Sequence, residues 1–169
     1  LASDYAAWAK LRSDSRHFLE PWEPTWAADE LDKSGYRDRM TRYQKDRRDG
    51  VGLAYFVFLA GDSTLVGGIN LHIKRGVAQS GHIGYWMGER FAGQGYMSEA
   101  VDVIKHHAFS SLGLHRLEAA CIPDNERSVR LLKKAGFTLE GHIRSYLKIN
   151  GRWRDHLLFS FVEGGEGSA

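Results

Sequence analysis

The chain has 169 residues, 43% of them apolar and 26% charged, with a net charge of +2. That is the make-up of one globular domain large enough for a real core, and a balance so close to neutral gives no electrostatic case for a nucleic-acid or membrane partner. One cysteine, Cys121, leaves no internal disulfide and suits a reducing, cytoplasmic setting, and no apolar run approaches the roughly 20 residues of a membrane span.

Leu1 rather than Met opens the sequence, in a stretch that already reads as helical, so a segment is expected upstream. Ser3 or Asp4 is placed to cap a first helix running to about His17. His17-Phe-Leu-Glu-Pro-Trp-Glu-Pro-Thr-Trp26 follows, and its two prolines forbid a regular helix. This aromatic loop either lids the core or forms a wall of a substrate cleft. Ala27 to about Asp49 reads as one or two charge-dense helices, which Gly35 is able to interrupt.

Three antiparallel strands come next. Gly52–Ala60 is a buried run, Gly61-Asp62-Ser63 turns it, and Thr64 to about Lys74 returns with Gly67-Gly68 as a weak or bulged point. Gly76 turns again into Gln79–Gly88. The next turn, Arg90-Phe-Ala-Gly-Gln-Gly-Tyr-Met97, carries Gly93-x-Gly95 and opens a helix with Met97, Ala100, Val101, Ile104, Ala108 and Phe109 on one stripe. A bare glycine turn at a helix N-terminus is either a plain turn or an anion cradle, most naturally for a pyrophosphate. His106-His107 does not suggest a metal, since adjacent helical residues diverge by about 100°. Leu114–Ile122 is a strand, and Pro123-Asp-Asn-Glu opens a short helix with Val129, Leu131, Leu132 and Ala135 inward and Gly136 as its stop. Phe137–Ile149, Asn150-Gly151 and Arg152–Val162 spell a hairpin. The reading is one domain over 1–162, a mixed α+β sheet with helices on both faces, and a disordered tail over 163–169.

Arg90-x-x-Gly93-x-Gly95 after a strand resembles the acetyl-CoA signature of the GNAT N-acetyltransferases. Asn125-x-x-Ser128 followed by Lys134-Ala-Gly-Phe137 resembles that family's second CoA-facing segment. Within the superfamily, His17–Pro24, Glu140-Gly141 and Asn150-Gly-Arg-Trp-Arg-Asp155 resemble the RimJ/RimL group, closest to RimJ, whose enzymes acetylate the N-terminal amine of ribosomal proteins. The resemblance runs from about Ser15 to Val162 and implies the GNAT fold. That fold is a mostly antiparallel twisted sheet with a central splayed parallel pair, formed by the strand ending at Met87 and the strand around Leu117–Cys121. Its first strand is missing here and is expected upstream.

The resemblance further implies acetyl-CoA as co-substrate and no metal. The pantetheine pairs with backbone near Trp86, Met87 and Gly88, and the pyrophosphate sits on amides of Phe91, Gly93, Gln94, Gly95, Tyr96 and Met97, with Arg90 nearby. Leu132 and Lys134 join the cofactor set from the second segment. The amine attacks the thioester directly, the backbone N–H at Met87 stabilises the oxyanion, Ser128 protonates the leaving thiolate, and Asn125 orders the pantetheine. Cys121 as a nucleophile is the minor alternative.

A free α-amine has a pKa near 8, so about a tenth is neutral at pH 7 and a weak base or water relay suffices. RimL-type enzymes place a glutamate where this chain reads Arg144-Ser-Tyr-Leu147, so no acid stands there. Glu118 is the first carboxylate candidate for a water-relayed proton, with Glu23 and Glu140 as others. Trp22, Glu23, Trp26, Tyr146 and Trp153 are the candidate substrate residues, and Arg154 and Asp155 read as a structural pair. The expected acceptor is a peptide or protein N-terminus, which the resemblance makes a ribosomal one, taken by a monomer or homodimer. A small amine, or thioester binding without turnover, is the alternative.

Overall fold

The structure, a computed structural model, describes residues 1–164. The tail expected over 163–169 therefore falls, from residue 165, outside the described residues. Helices α1 (Tyr5–Asp14), α2 (Arg16–Leu19) and α3 (Lys33–Arg48) precede strands β1 (Gly52–Phe58), β2 (Leu65–Lys74) and β3 (Ser80–Met87). Helix α4 (Tyr96–Ser110), strand β4 (Arg116–Cys121), helix α5 (Glu126–Lys134) and the hairpin of β5 (Thr138–Ile149) and β6 (Arg152–Val162) complete the order.

The first helix ends three residues earlier than the sequence suggests, and no side chain caps it. The prolines are accommodated by a separate turn, α2, followed by a 3₁₀ turn over Glu20–Trp22. Helix α3 begins at Lys33 because 28–31 form turns, and Gly35 lies in its first turn without breaking it.

The six strands run in the order β1-β2-β3-β4-β6-β5, and every neighbouring pair is antiparallel except β3 and β4. The bulge expected at Gly67-Gly68 falls one residue away: Val57 faces Gly67 but Phe58 faces Leu65, leaving Val66 as the extra residue. One face of the sheet packs under α4 and α5, where Ile69, Leu71, Ile83, Val101, Leu117, Leu132 and Phe159 are almost fully buried. The other face is covered at its β1–β3 end by α1 and α3 through Trp8, Leu11, Tyr36 and Leu65. The Asn150-Gly151 turn takes φ of +43° and +78°, the twist that two-residue hairpins require.

The parallel pair is short. Its register runs from Ser80 opposite Arg116 to Ile83 opposite Ala119 and stops there, so Gly84–Met87 and the end of β4 diverge. The splayed pair that the resemblance implies is present.

Away from the splay, Arg116 ties β4 to β5. It donates to both carboxylate oxygens of Glu140 and through Nε to Glu118 Oε1 at 2.9 Å, while Ser160 Oγ donates to Glu140 at 2.5 Å. Arg116 and then Ser160 hold the Glu140 carboxyl down at about 2. A folded-state pKa below the unfolded value of 4.5 contributes stability above pH 4.5 that is lost as pH falls toward about 2. Urea midpoints should therefore fall between pH 5 and 2.5 in the parent chain and less steeply in Glu140→Gln. Parallel curves for the two would remove this pair from the acid sensitivity.

Candidate active site

The site is built where β3 ends, and its first part is the glycine turn. Gly93 and Gly95 have φ of +78° and +94°, and a Cβ at either would meet nothing within 4 Å. Backbone twist, rather than crowding inside the protein, selects glycine here. Gly95 is the N-cap of α4, and no side chain caps that helix end. The amides of residues 93–95 also find no backbone acceptor among the described residues. A row of free donors at the positive end of a helix is an anion seat. Arg90 is exposed beside it, with its guanidinium 4.5 Å from the Phe91 ring centre and its carbonyl held by Gln94 Nε2 at 2.8 Å. Tyr96 is half-buried, and the Met97 side chain goes into the core while its amide stays in the first turn.

The second part is the edge that the splay exposes. The Gly88 N–H donates to Val66 O at 2.9 Å, toward β2. Amide direction alternates along a strand, so Trp86 faces β2 as well, and the Tyr85 and Met87 amides face the gap. Gly88 is packed on Leu11, where a Cβ would fall 2.4 Å from a methyl group. The buried Ser15 takes the Glu89 N–H at 2.9 Å, which fixes the exit of β3 against α1.

The third part crosses the gap. Asn125 caps α5 by accepting the Ser128 N–H at 3.2 Å, and Ser128 is buried with its Oγ 2.6 Å from Tyr85 Oη. In a hydroxyl pair at that distance either oxygen is able to donate the hydrogen bond. Burial raises the Tyr85 phenol and the Cys121 thiol above their ordinary values, so both stay protonated at neutral pH. A protonated, buried thiol is a poor nucleophile. Two sequence-derived cofactor residues part company on α5. Leu132 is fully buried in the core and holds the helix from inside, whereas Lys134 is exposed near its end.

The aromatic loop is anchored by a buried charge. Arg12, 4% exposed, donates to both Glu23 oxygens at 3.2 and 2.6 Å, and Trp26 Nε1 donates to the same carboxylate at 2.8 Å. The Arg12 guanidinium lies 4.4 Å from the Trp26 ring centre and 5.1 Å from that of Trp86. Glu23 is thus committed inside the protein and has little capacity left for an acceptor ammonium. Its carbonyl takes the Asn150 N–H at 2.9 Å, bringing the hairpin tip onto the loop. Trp22 is half-buried in that loop, while Trp153 and Tyr146, 65% and 39% exposed, stand on the hairpin. Tyr146 leans edge-on against His156 at 5.4 Å.

Arg154 and Asp155 do not pair with each other. Arg154 reaches Asp124 at 3.0 Å, and Asp155 holds His142 at 3.2 Å and the Ser145 N–H at 2.8 Å. Strand alternation sends neighbours to opposite sides, which the pairing overlooked. Among the carboxylates considered for the proton, Glu140 is bound to Arg116 and Glu118 keeps one oxygen free of hydrogen bonds among the described residues. Two residues at the site escaped the sequence reading: Tyr85 and Arg12. A tyrosine at a core-facing strand position needs a partner for its hydroxyl, and that signal was available for Tyr85. No group of three or more His, Cys, Asp or Glu placed to hold a metal occurs among the described residues, and no described helix is long and apolar enough to cross a membrane.

Residues 1–138 match the acetyltransferase (GNAT) domain family. The chain is 39% identical over 153 residues to the probable N-acetyltransferase YjcK of Bacillus subtilis, covering 90% of this chain and 84% of that one. It is 32% identical over 161 residues to the [ribosomal protein uS5]-alanine N-acetyltransferase of Escherichia coli, covering 94% and 83%. Among solved structures, Mycobacterium smegmatis RimJ in complex with CoA-disulfide superposes with a TM-score of 0.92 at 31% identity, covering all of this chain and 82% of that one.

Proposed function

The chain belongs to the GNAT family of acetyltransferases, and from that premise we propose that it transfers the acetyl group of acetyl-CoA to the N-terminal α-amine of a ribosomal protein. The observation that carries the acceptor is similarity over nearly the whole chain, 94% of it, to a uS5-alanine N-acetyltransferase. A loop and hairpin bearing exposed aromatics beside the splay support a peptide acceptor.

In this reading the pyrophosphate lies on the free amides of the glycine turn and the first turn of α4, with Arg90 alongside. The pantetheine amides bond to the gap-facing backbone of β3, and the Asn125 side-chain amide, whose oxygen caps α5, offers its N–H groups to the same arm. The amine nitrogen attacks the thioester carbonyl, and the oxyanion that develops is met by the Met87 N–H. The C–S bond then breaks, and Ser128 supplies the proton to the departing thiolate while Tyr85 Oη, 2.6 Å away, shares its own with Ser128.

Release of CoA thiol should be measured with acetyl-CoA and an Ala- or Ser-starting ribosomal peptide, against a panel of small amines. Turnover on the peptide at a kcat/KM well above every small amine is the expected result, and the reverse order would give the site to a small-molecule acceptor. Alanine at Gly95 tests the cradle separately. It must either sit at φ +94° or turn the 95–97 amides away from the anion. A strain of 1–2 kcal/mol corresponds to about a tenfold rise in KM for acetyl-CoA with little change in kcat. An unchanged KM would move the pyrophosphate elsewhere.

A further inference from the structure

The face of the sheet turned away from α4 and α5 carries a group of polar side chains that the mechanism above does not use. In the parallel register, His82 of β3 stands opposite Glu118 of β4, one rung before the last pair ahead of the splay. In-register neighbours point to the same side, so the two side chains are adjacent on that face. Arg116 holds one Glu118 oxygen at 2.9 Å, and among the described residues the other takes no hydrogen bond. His82 is half-buried and likewise makes no side-chain hydrogen bond among the described residues. The next residue of β3 on this face is Gly84, exposed, with no atom within 4 Å of where a Cβ would lie. Beyond it comes Trp86, packed near Arg12 of the aromatic loop's anchor. A bare stretch of strand thus runs from His82 toward the splay, open to an incoming amine and to water.

We propose that the His82 imidazole takes, through one or two waters, the proton that the acceptor amine loses as it attacks, and that Glu118 orients the imidazole. The inference rests on the acetyl-transfer reading and replaces the carboxylate proton acceptor with a histidine whose neighbour is the carboxylate. Reach is compatible. Strand rise puts His82 about 10 Å along β3 from Tyr85, whose side chain turns to the α4/α5 face, so the water chain runs along the bare Gly84 stretch to the gap between the strands. The groups facing His82 are His72 and Lys74 from β2, Glu118 from β4 and His156 from β6. Burial lowers the His82 pKa from 6.5, with Glu118 working in the opposite direction, so the ring is neutral and able to accept at pH 7. The step balances: the C–N bond forms and the C–S bond breaks, His82 receives the amine proton, Ser128 gives one to the thiolate, and exchange with water restores both.

The test is the pH dependence of kcat/KM between pH 5 and 9 for the parent chain, His82→Gln and Glu118→Gln. Acetyl-CoA binding, followed by tryptophan fluorescence, serves as the check on folding. His82→Gln is expected to lose about 10²-fold in kcat, the low end for a general base, to keep its acetyl-CoA affinity and to lose the acid limb of the profile. Glu118→Gln removes the negative neighbour, so its acid limb should move to lower pH with a smaller loss of rate. A purely structural role for either residue would not move the limb. A His82→Gln chain that keeps its acid limb, or whose kcat stays within threefold of the parent, overturns the proposal. The same ratios are read on whichever amine the parent chain turns over, so failure of the ribosomal-peptide acceptor is distinguishable from failure of His82.

Discussion

Ser128→Ala should lose about 10²-fold or more in kcat, with acetyl-CoA binding little changed, when thiol release is followed at saturating acceptor. The hydroxyl is buried, and its partner at 2.6 Å, Tyr85 Oη, belongs to a half-buried side chain packed on the core. Removing Oγ therefore leaves the thiolate with no positioned donor and Tyr85 with an unpaired hydroxyl. The loss should shrink for a thioester whose thiol is more acidic, because such a leaving group needs less help. Tyr85→Phe should fall between the parent chain and Ser128→Ala, since Ser128 then keeps its proton but loses its neighbour. A Ser128→Ala loss below tenfold would remove Ser128 as the acid and leave the thiolate to solvent.

Arg12→Ala carries the largest expected effect on stability. The guanidinium is 4% exposed and is the partner of Glu23, with Glu30 at 3.6 Å. Breaking a buried ion pair costs about 3–5 kcal/mol because the survivor remains charged and unpaired. Glu23 keeps 21% of its side-chain surface in water, which places the expected loss near the low end, about 3 kcal/mol. For a chain of this length that is a fall in Tm of about 6–12 °C. The double variant Arg12→Met/Glu23→Gln should recover most of the loss, since removing both charges removes the penalty. A single variant within 2 °C of the parent would mean that the loop is held by its aromatics alone. Activity offers a second reading of the same change. Arg12 joins α1, the aromatic loop and Trp86, so its loss should raise the acceptor KM more than that for acetyl-CoA.

What the sequence disclosed and what it concealed divide along range. Gly93-x-Gly95, the α4 stripe and Asn150-Gly151 were legible because each rests on local chemistry: a positive φ, a 3.6-residue period, a two-residue turn. The motif order Arg90–Gly95, Asn125–Ser128, Lys134–Phe137 was enough to point to the family. Contacts across the fold were not legible. Tyr85 and Ser128 lie 43 residues apart and meet only because β3 and β4 separate after Ile83. His82 becomes the neighbour of Glu118 through a register that no local pattern fixes. Glu23 looked like an open carboxylate because Arg12, on a helix of mixed pattern, gave no sign of pointing inward. Leu132 and Lys134 entered the cofactor set together through the resemblance, although two residues along a helix are about 200° apart and face opposite ways.

The strand order holds one more consequence. The last of the described strands, β6, lies inside the sheet, paired with β4 on one side and β5 on the other. Until it arrives, β4 has a neighbour over only four residues, and the loop at Glu23 lacks the Asn150 N–H that comes from 127 positions downstream. During synthesis, then, β1–β3 and their helices are able to assemble early, but the docking of the hairpin tip on the aromatic loop and the firm placing of Glu118 and Cys121 wait for β6. A proposed site that spans the splay would itself stay incomplete until β6 has been made and paired.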